Sequence, residues 1–165
     1  MSIQAAIITY GAKEPQRTHT AIGSYISGCG FSVNLLKEAP VGGLVEALES
    51  SILEASLIIV VGGTFVGWGN DAPQILEKWS DYQISGIGEL MRFETVQDGF
   101  GTYLQRGGGW IKGNSLFIAV PADTKAALDH LKVLGSLMMM AVKGLQANSD
   151  RPTQLDRNAT DSANF

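Results

Sequence analysis

Apolar residues along the chain fall into short continuous runs that alternate with stretches of helical stride. Residues 4–10 (QAAIITY) form an isoleucine-rich run ending at Gly11 and read as a buried strand. Between Thr18 and Gly28, Ile22, Tyr25 and Ile26 recur at helical spacing, and the Gly28-Cys29-Gly30 break closes that helix. Phe31 to Leu36 alternates weakly and predicts a second strand. Leu44, Leu48 and Ile52 repeat every four residues with Val45 and Ala55 alongside, predicting an amphipathic helix over about 41–55. Leu57 to Val61 is an unbroken run rich in β-branched residues that suits a central parallel strand covered on both faces. Asn70 or Asp71 can cap a helix running through Ile75 and Leu76 to Trp79. In residues 84–97 a glycine pair precedes helix formers, while 99–109 reads as irregular and glycine-rich. Leu116 to Val120 is a further buried strand, stopped by Pro121. Ala127, Leu131, Leu134, Met138, Ala141 and Leu145 describe one long helix.

Strands alternating with helices imply right-handed crossovers and a mostly parallel sheet. The expected fold is therefore α/β, a three-layer sandwich in a single domain over 1–145. The polar stretch 146–165, which contains Pro152, reads as a mobile tail.

Composition narrows the function classes. Charged residues make up 17% of the chain, against roughly 25% in an average soluble domain. Such a charge-poor surface favours contact with another subunit. The net charge of −4 argues against non-specific binding to a nucleic-acid backbone, which needs a basic field. One cysteine, Cys29, allows neither an intramolecular disulfide nor a cysteine-based zinc cluster. No run approaches a membrane span, and MSIQAAIITYG lacks the features of a signal peptide, so a cytoplasmic protein is expected.

The 20 glycines exceed the usual ~7%, and they cluster. Within IIVVGGTFVGWGNDAPQIL, a central strand leads through glycines to a helix start. Open α/β sheets collect ligands at the carboxyl ends of their strands. Glycines let backbone N–H groups turn toward an anion, and the helix N-terminus adds partial positive charge. Thr64 can add a hydroxyl. Equally, Gly62 and Gly63 can serve a tight turn alone. The loop is neither a Walker loop nor GxGxxG.

Five pieces then appear in order: GGT at 62–64, GNDAPQIL at 69–76, SGIGELMR at 85–92, QR at 105–106 and NSLFIAVPADTKA at 114–126. Together, over roughly residues 4–145, they resemble the MoaB/MogA family of molybdenum-cofactor biosynthesis, the molybdopterin adenylyltransferase-like proteins. The resemblance implies an α/β domain, commonly trimeric, that binds the molybdopterin phosphate. In active members it implies transfer of AMP from Mg-ATP onto that phosphate. It places Gly62, Gly63 and Thr64 in the phosphate-facing loop and Gly88, Glu89 and Arg92 in the second motif. It also matches Arg106 to a Ser-Arg pair, and Pro121, Thr124 and Lys125 to a third loop. Glu89 and Arg92 read equally well as an i,i+3 surface pair, and Lys125 as a solvated lysine at a helix start.

Several positions depart from the family pattern. Phe65 stands where a glycine is expected, and a bulky residue in the left-handed region costs about 1–2 kcal/mol. Gly67 and Gly69 can take over that flexibility on a different loop path. The expected acidic residue falls on Asn70, with Asp71 one step later. Either Asp71 substitutes as metal ligand and catalytic carboxylate, with Glu89, or the magnesium site is damaged. Gln105 replaces serine, and Ala122 replaces glycine. The first loop reads Gly11-Ala12 and Gln16-Arg17-Thr18-His19, where Arg17, Thr18 and His19 offer a different anion site. Two functions follow: an adenylyltransferase-like enzyme acting on molybdopterin with ATP and magnesium, or a binding member that keeps ligand or oligomer contacts. Trp68 can stack on a ring or pack on protein. Met138-Met139-Met140 reads as helix core or interface, and His130 as a solvent-facing residue of the last helix.

Overall fold

A computed structural model describes residues 2–148. Six strands form one sheet, ordered β2-β1-β3-β6-β5-β4. They are β1 (Ile3–Tyr10), β2 (Phe31–Ala39), β3 (Leu57–Val61), β4 (Tyr82–Ile84), β5 (Gly108–Lys112) and β6 (Ser115–Val120). The helices are α1 (Pro15–Gly28), α2 (Leu44–Ile52), α3 (Ala72–Trp79), α4 (Ser85–Thr95), α5 (Thr124–Leu134) and α6 (Leu137–Ala147). Strands β2, β1, β3 and β6 pair in parallel, and β5 alone runs against its neighbours β6 and β4. Among the described residues, no helix is long and apolar enough to cross a membrane.

The uniform apolarity of β3 follows from its place between two cores. Leu57, Ile59 and Val61 pack with residues of α1, α4, α5 and α6. Ile58 and Val60 face the opposite layer, with Leu44 and Leu48 of α2 and Leu76 of α3. All five residues are fully buried, and the expected three-layer α/β architecture is borne out.

Four expectations need correction. The second strand continues through Lys37 and Glu38 to Ala39, because backbone pairing with Ile8–Tyr10 holds an edge strand whose outer side chains stay in water. The helix expected over 41–55 is shorter, Leu44–Ile52. The stretch 99–109 holds the 3-10 turn Phe100–Leu104, just after another at Val96–Asp98, and ends in the start of β5. Gly109 reflects a close helix–strand crossing, since a side chain there would meet Ile87 of α4 at 2.5 Å. The long C-terminal helix is broken at Gly135, where φ is +48°. Its apolar stride survives the break because Leu131, Leu134, Met138 and Val142 all enter one core. Helix α6 runs to Ala147, and residues 149–165 of the expected tail lie outside the described residues.

Candidate functional site

The strand order reverses between β1 and β3. Thr9, Val61 and Val120 share one row there, so the segments after β1, β3 and β6 emerge together at the carboxyl edge. The loop after β3 is tied at several points. Gly62 N–H donates to the Val120 carbonyl at 3.0 Å, and Ala72 N–H to the Gly63 carbonyl at 3.2 Å. Arg106 N–H donates to the Thr64 carbonyl at 2.7 Å, and Val66 N–H to the Leu104 carbonyl at 3.2 Å. Phe65 thereby bridges Gln105 as a short antiparallel pair. It is not left-handed; Gly67 and Gly69 carry positive φ instead, at +121° and +83°. Positive φ in this loop therefore falls on glycines and not on Phe65.

These ties separate the loop groups by availability. Gly62 spends its amide on the sheet. The Thr64 hydroxyl donates to Gln105 Oε1 at 2.7 Å and is buried. Among the described residues, the amides of Gly63, Thr64 and Phe65 have no hydrogen-bond partner. The Arg106 guanidinium is likewise without one, and it lines a hollow of about 410 Å³ with Gln74, Gln83, Tyr103 and Gln105. A half-exposed guanidinium matches the planar oxygens of a phosphate or carboxylate.

Asp71 occupies the N-cap position of α3 without capping it. Its Oδ1 accepts a 2.6 Å hydrogen bond from the Tyr10 hydroxyl. Burial, reinforced by that bond, pushes the Tyr10 phenol up to about 12, so it remains a donor at neutral pH. Tested as a magnesium site, Asn70 and Asp71 supply one carboxylate with one oxygen already engaged. Magnesium is usually held by one or two carboxylates plus phosphate oxygens, so Asp71 fits only with most ligands coming from a nucleotide. Among the described residues, no group of three His, Cys, Asp or Glu side chains could hold a metal ion.

The remaining expected site residues disperse. Glu89 is exposed on α4 and has no ion-pair partner among the described residues. Arg92 is not its surface partner: it lines the Arg106 hollow, and its Nη1 donates to the carbonyls of Gln105 at 3.3 Å and Gly107 at 2.8 Å. Gly88 lies under that guanidinium, where a Cβ would meet Arg92 Nη2 at 2.8 Å. Pro121 is buried, and Thr124 shares a 3.0 Å hydrogen bond with Thr18. Lys125 donates to Asp129 at 3.0 Å, a bond that raises its pKa. Of the alternative anion set, Arg17 is exposed beside Glu14 while His19 bonds the Lys37 carbonyl at 3.1 Å. Trp68 stands fully in solvent, and Trp110 is buried with Nε1 donating to Glu77 at 2.9 Å.

His130 is a correction: it is buried, at 4% exposure. Burial first, and then the nearby Arg92 charge, lower its pKa from 6.5. Near pH 7.5 both folded and unfolded chains carry it neutral, so its share of stability is fully present. As pH falls through about 6.5 the unfolded state takes up the proton first. Stability is then lost down to the depressed folded value. The urea midpoint should fall between pH 7.5 and 5.5, and His130→Gln should flatten that slope; an unchanged slope would assign it elsewhere.

No protein-family model matches the chain. Among curated proteins, it is 31% identical over 93 residues to the molybdenum cofactor biosynthesis bifunctional protein of Synechococcus elongatus, covering 56% of this chain and 29% of the relative. It is 28% identical over 74 residues to molybdenum cofactor biosynthesis protein B of Escherichia coli K12, covering 44% of each. The chain thus spans less than half the length of these curated relatives. Among solved structures, MoaB from Thermus thermophilus, a molybdopterin biosynthesis enzyme, superposes with TM-score 0.78 at 22% identity, covering 91% of this chain and 98% of that one. The chain shares the fold of the MoaB and Mog proteins. The molybdopterin biosynthesis Mog protein of Mycobacterium ulcerans agrees, with TM-score 0.80 at 23% identity over 87% of this chain and 99% of that one. Within this MoaB/MogA-like chain, the loop after β3 and the Arg106 hollow occupy the carboxyl edge of the sheet.

Proposed function

We propose that the chain binds molybdopterin or a nucleotide, through its phosphate, in molybdenum-cofactor biosynthesis. Arg106 carries this reading: among the described residues its guanidinium has no hydrogen-bond partner and lines a hollow of about 410 Å³ with Arg92 and Glu77, while its own amide bonds the loop whose Gly63, Thr64 and Phe65 amides are without partners. The names of the curated and structural relatives supply the pathway.

Adenylyl transfer, in which molybdopterin phosphate takes AMP from Mg-ATP and pyrophosphate leaves, is the finer form. Asp71 would hold the magnesium, which would supply charge neutralisation on the triphosphate, while Arg106 and the loop amides would orient phosphate oxygens. A binding member with little turnover is the second reading. The single available carboxylate and the remoteness of Glu89 favour it, since losing one preorganised charge partner typically lowers turnover by ~10²–10³. A cytoplasmic homotrimer belongs to either reading. Self-association is supported by adjoining loops that expose Phe65, Val66, Trp68, Phe100, Tyr103 and Leu104.

Calorimetry with AMP and with Mg-ATP tests the site. Arg106→Ala should weaken AMP by about 10- to 100-fold, the loss of one or two hydrogen bonds to a charged group. An unaltered affinity would remove Arg106 from the site. Pyrophosphate release on adding molybdopterin and Mg-ATP would then establish the enzyme, and binding without release the binder.

A further inference from the structure

His130 of α5 links α4 to the second 3-10 turn. Its Nε2 lies 3.5 Å from the Thr95 hydroxyl and 3.4 Å from the Thr102 hydroxyl. Hydrogen-bond counting fixes its state. The Thr95 hydroxyl donates its one hydrogen to the Met91 carbonyl at 2.7 Å, so Thr102 donates the 2.5 Å bond between the two threonines. Both hydroxyl hydrogens are then spent, and Nε2 can only donate. The neutral imidazole therefore carries its hydrogen on Nε2, and Nδ1 is a buried acceptor without a partner among the described residues.

A second proton would have to enter at Nδ1, where nothing accepts it. The imidazolium would then combine a desolvated charge with an unsatisfied buried donor. Burial first, and then the Arg92 charge on α4, oppose that proton more than Asp129 of α5 and Asp98 of the first 3-10 turn favour it. Lys125 and Asp123 line the cleft beside His130 as well, but Lys125 pairs with Asp129 and Asp123 caps α5 through the Ala126 N–H. Relief comes from whichever neighbour yields first. Helices α4 and α5 are anchored in the core by Ile87, Met91, Ala127 and Leu131. The 3-10 turns contain no buried residue, and a methyl group at Gly99 or Gly101 would meet nothing within 4 Å. Such a segment opens at far lower cost than the core.

We propose that His130 is a proton-operated latch on the segment 96–104: neutral, it holds the segment through Thr102, and protonated, it releases the segment so that Nδ1–H reaches water. The consequence for anion binding rests on the reading of Arg106 given above. Tyr103 of this segment lines the Arg106 hollow. The Leu104 carbonyl accepts from the Val66 N–H of the loop after β3, and the Thr102 carbonyl accepts from the Gln105 N–H. Opening therefore removes a wall of the hollow and the ties beside Arg106, so acid weakens anion binding without titrating the guanidinium.

Amide hydrogen exchange of the full chain, read by NMR and corrected for the intrinsic rate at each pH, tests the latch. Protection at Thr102 and Gln105 should fall by up to about tenfold between pH 7.5 and 5.5, the factor set by an imidazole that titrates near 6.5 once the segment is open. Low urea should leave that exchange unchanged while it speeds exchange in β3, which opens only with the whole domain. His130→Gln, whose amide can donate to the threonines but takes up no proton, should hold the protection constant across this range. Thr102→Val, which leaves His130 in place but removes the hydroxyl it grips, should lower protection already at pH 7.5. AMP affinity should fall further on acidification in the wild type than in His130→Gln, a comparison that cancels titration of the phosphate. Protection that is flat with pH in the wild type, that falls equally in His130→Gln, or that tracks β3 in urea would overturn the latch. Equal pH dependence of AMP affinity in the two proteins would overturn its coupling to the hollow. Absence of AMP binding at any pH would bear on the Arg106 reading alone, with exchange still deciding the latch.

Discussion

Replacing Gly62 by alanine is expected to destabilise the domain by about 3–5 kcal/mol, whereas Gly69→Ala should cost only about 1–2 kcal/mol. Both positions have positive φ, +115° and +83°. They differ in what a methyl group would meet. At Gly62 the new Cβ would lie 2.3 Å from the Tyr10 carbonyl oxygen, a backbone atom held in β1, whereas nothing lies within 4 Å at Gly69. Conformational strain is common to both, and the steric term belongs to Gly62 alone. Urea midpoints of the two variants check the difference. Equal losses would mean that the approach of β1 to the loop does not demand glycine at 62. The expected outcome divides labour within the Gly-Gly-Thr motif: Gly62 closes the sheet edge through Val120, while the free amides begin at Gly63.

The fold was legible where burial on both faces forces a continuous apolar run, and β3 was read to its exact ends for that reason. β5 was hidden because Gly108 and Gly109 carry no side-chain pattern; the signal at Gly109 is the absence of a Cβ where Ile87 presses on the strand. The break at Gly135 was hidden because the apolar stride continues across it on one core face. At the site, Arg106 and the loop after Val61 were visible from motif order. The roles of Tyr10, Gln105 and His130 were not. Each acts through a contact between residues 28 to 61 positions apart: Tyr10 to Asp71, Thr64 to Gln105, and His130 to Thr102. Only the tertiary fold creates such pairs. A histidine on an amphipathic helix carries no local mark of the threonines that bury it.

Arg92→Met should cost about 3 kcal/mol, the larger of the remaining effects, although the substitution keeps much of the apolar stem. The guanidinium holds the carbonyls of Gln105 and Gly107, and hydrogen bonds involving a charged group are worth about 1.5–3 kcal/mol each. Methionine leaves both oxygens without that donor at a half-buried position. Lysine should recover only part of the loss, because one ammonium on a flexible stem cannot reproduce the fixed fork. The stability change has a functional companion. Arg106 lies between the two anchored residues, and its own amide bonds the Thr64 carbonyl. Releasing Gln105 and Gly107 therefore frees the segment that carries the Arg106 guanidinium, and Arg92 lines the same hollow, so Arg92→Met should weaken AMP binding on both counts. Removing the Arg92 charge also relieves one of the two causes that depress His130, so the loss of stability on acidification below about pH 6.5 should become smaller. Urea denaturation at pH 7.5 and 5.5, paired with AMP calorimetry, reads all three consequences in one variant. Wild-type stability together with wild-type affinity would show that Arg92 does not brace the strand beside the site.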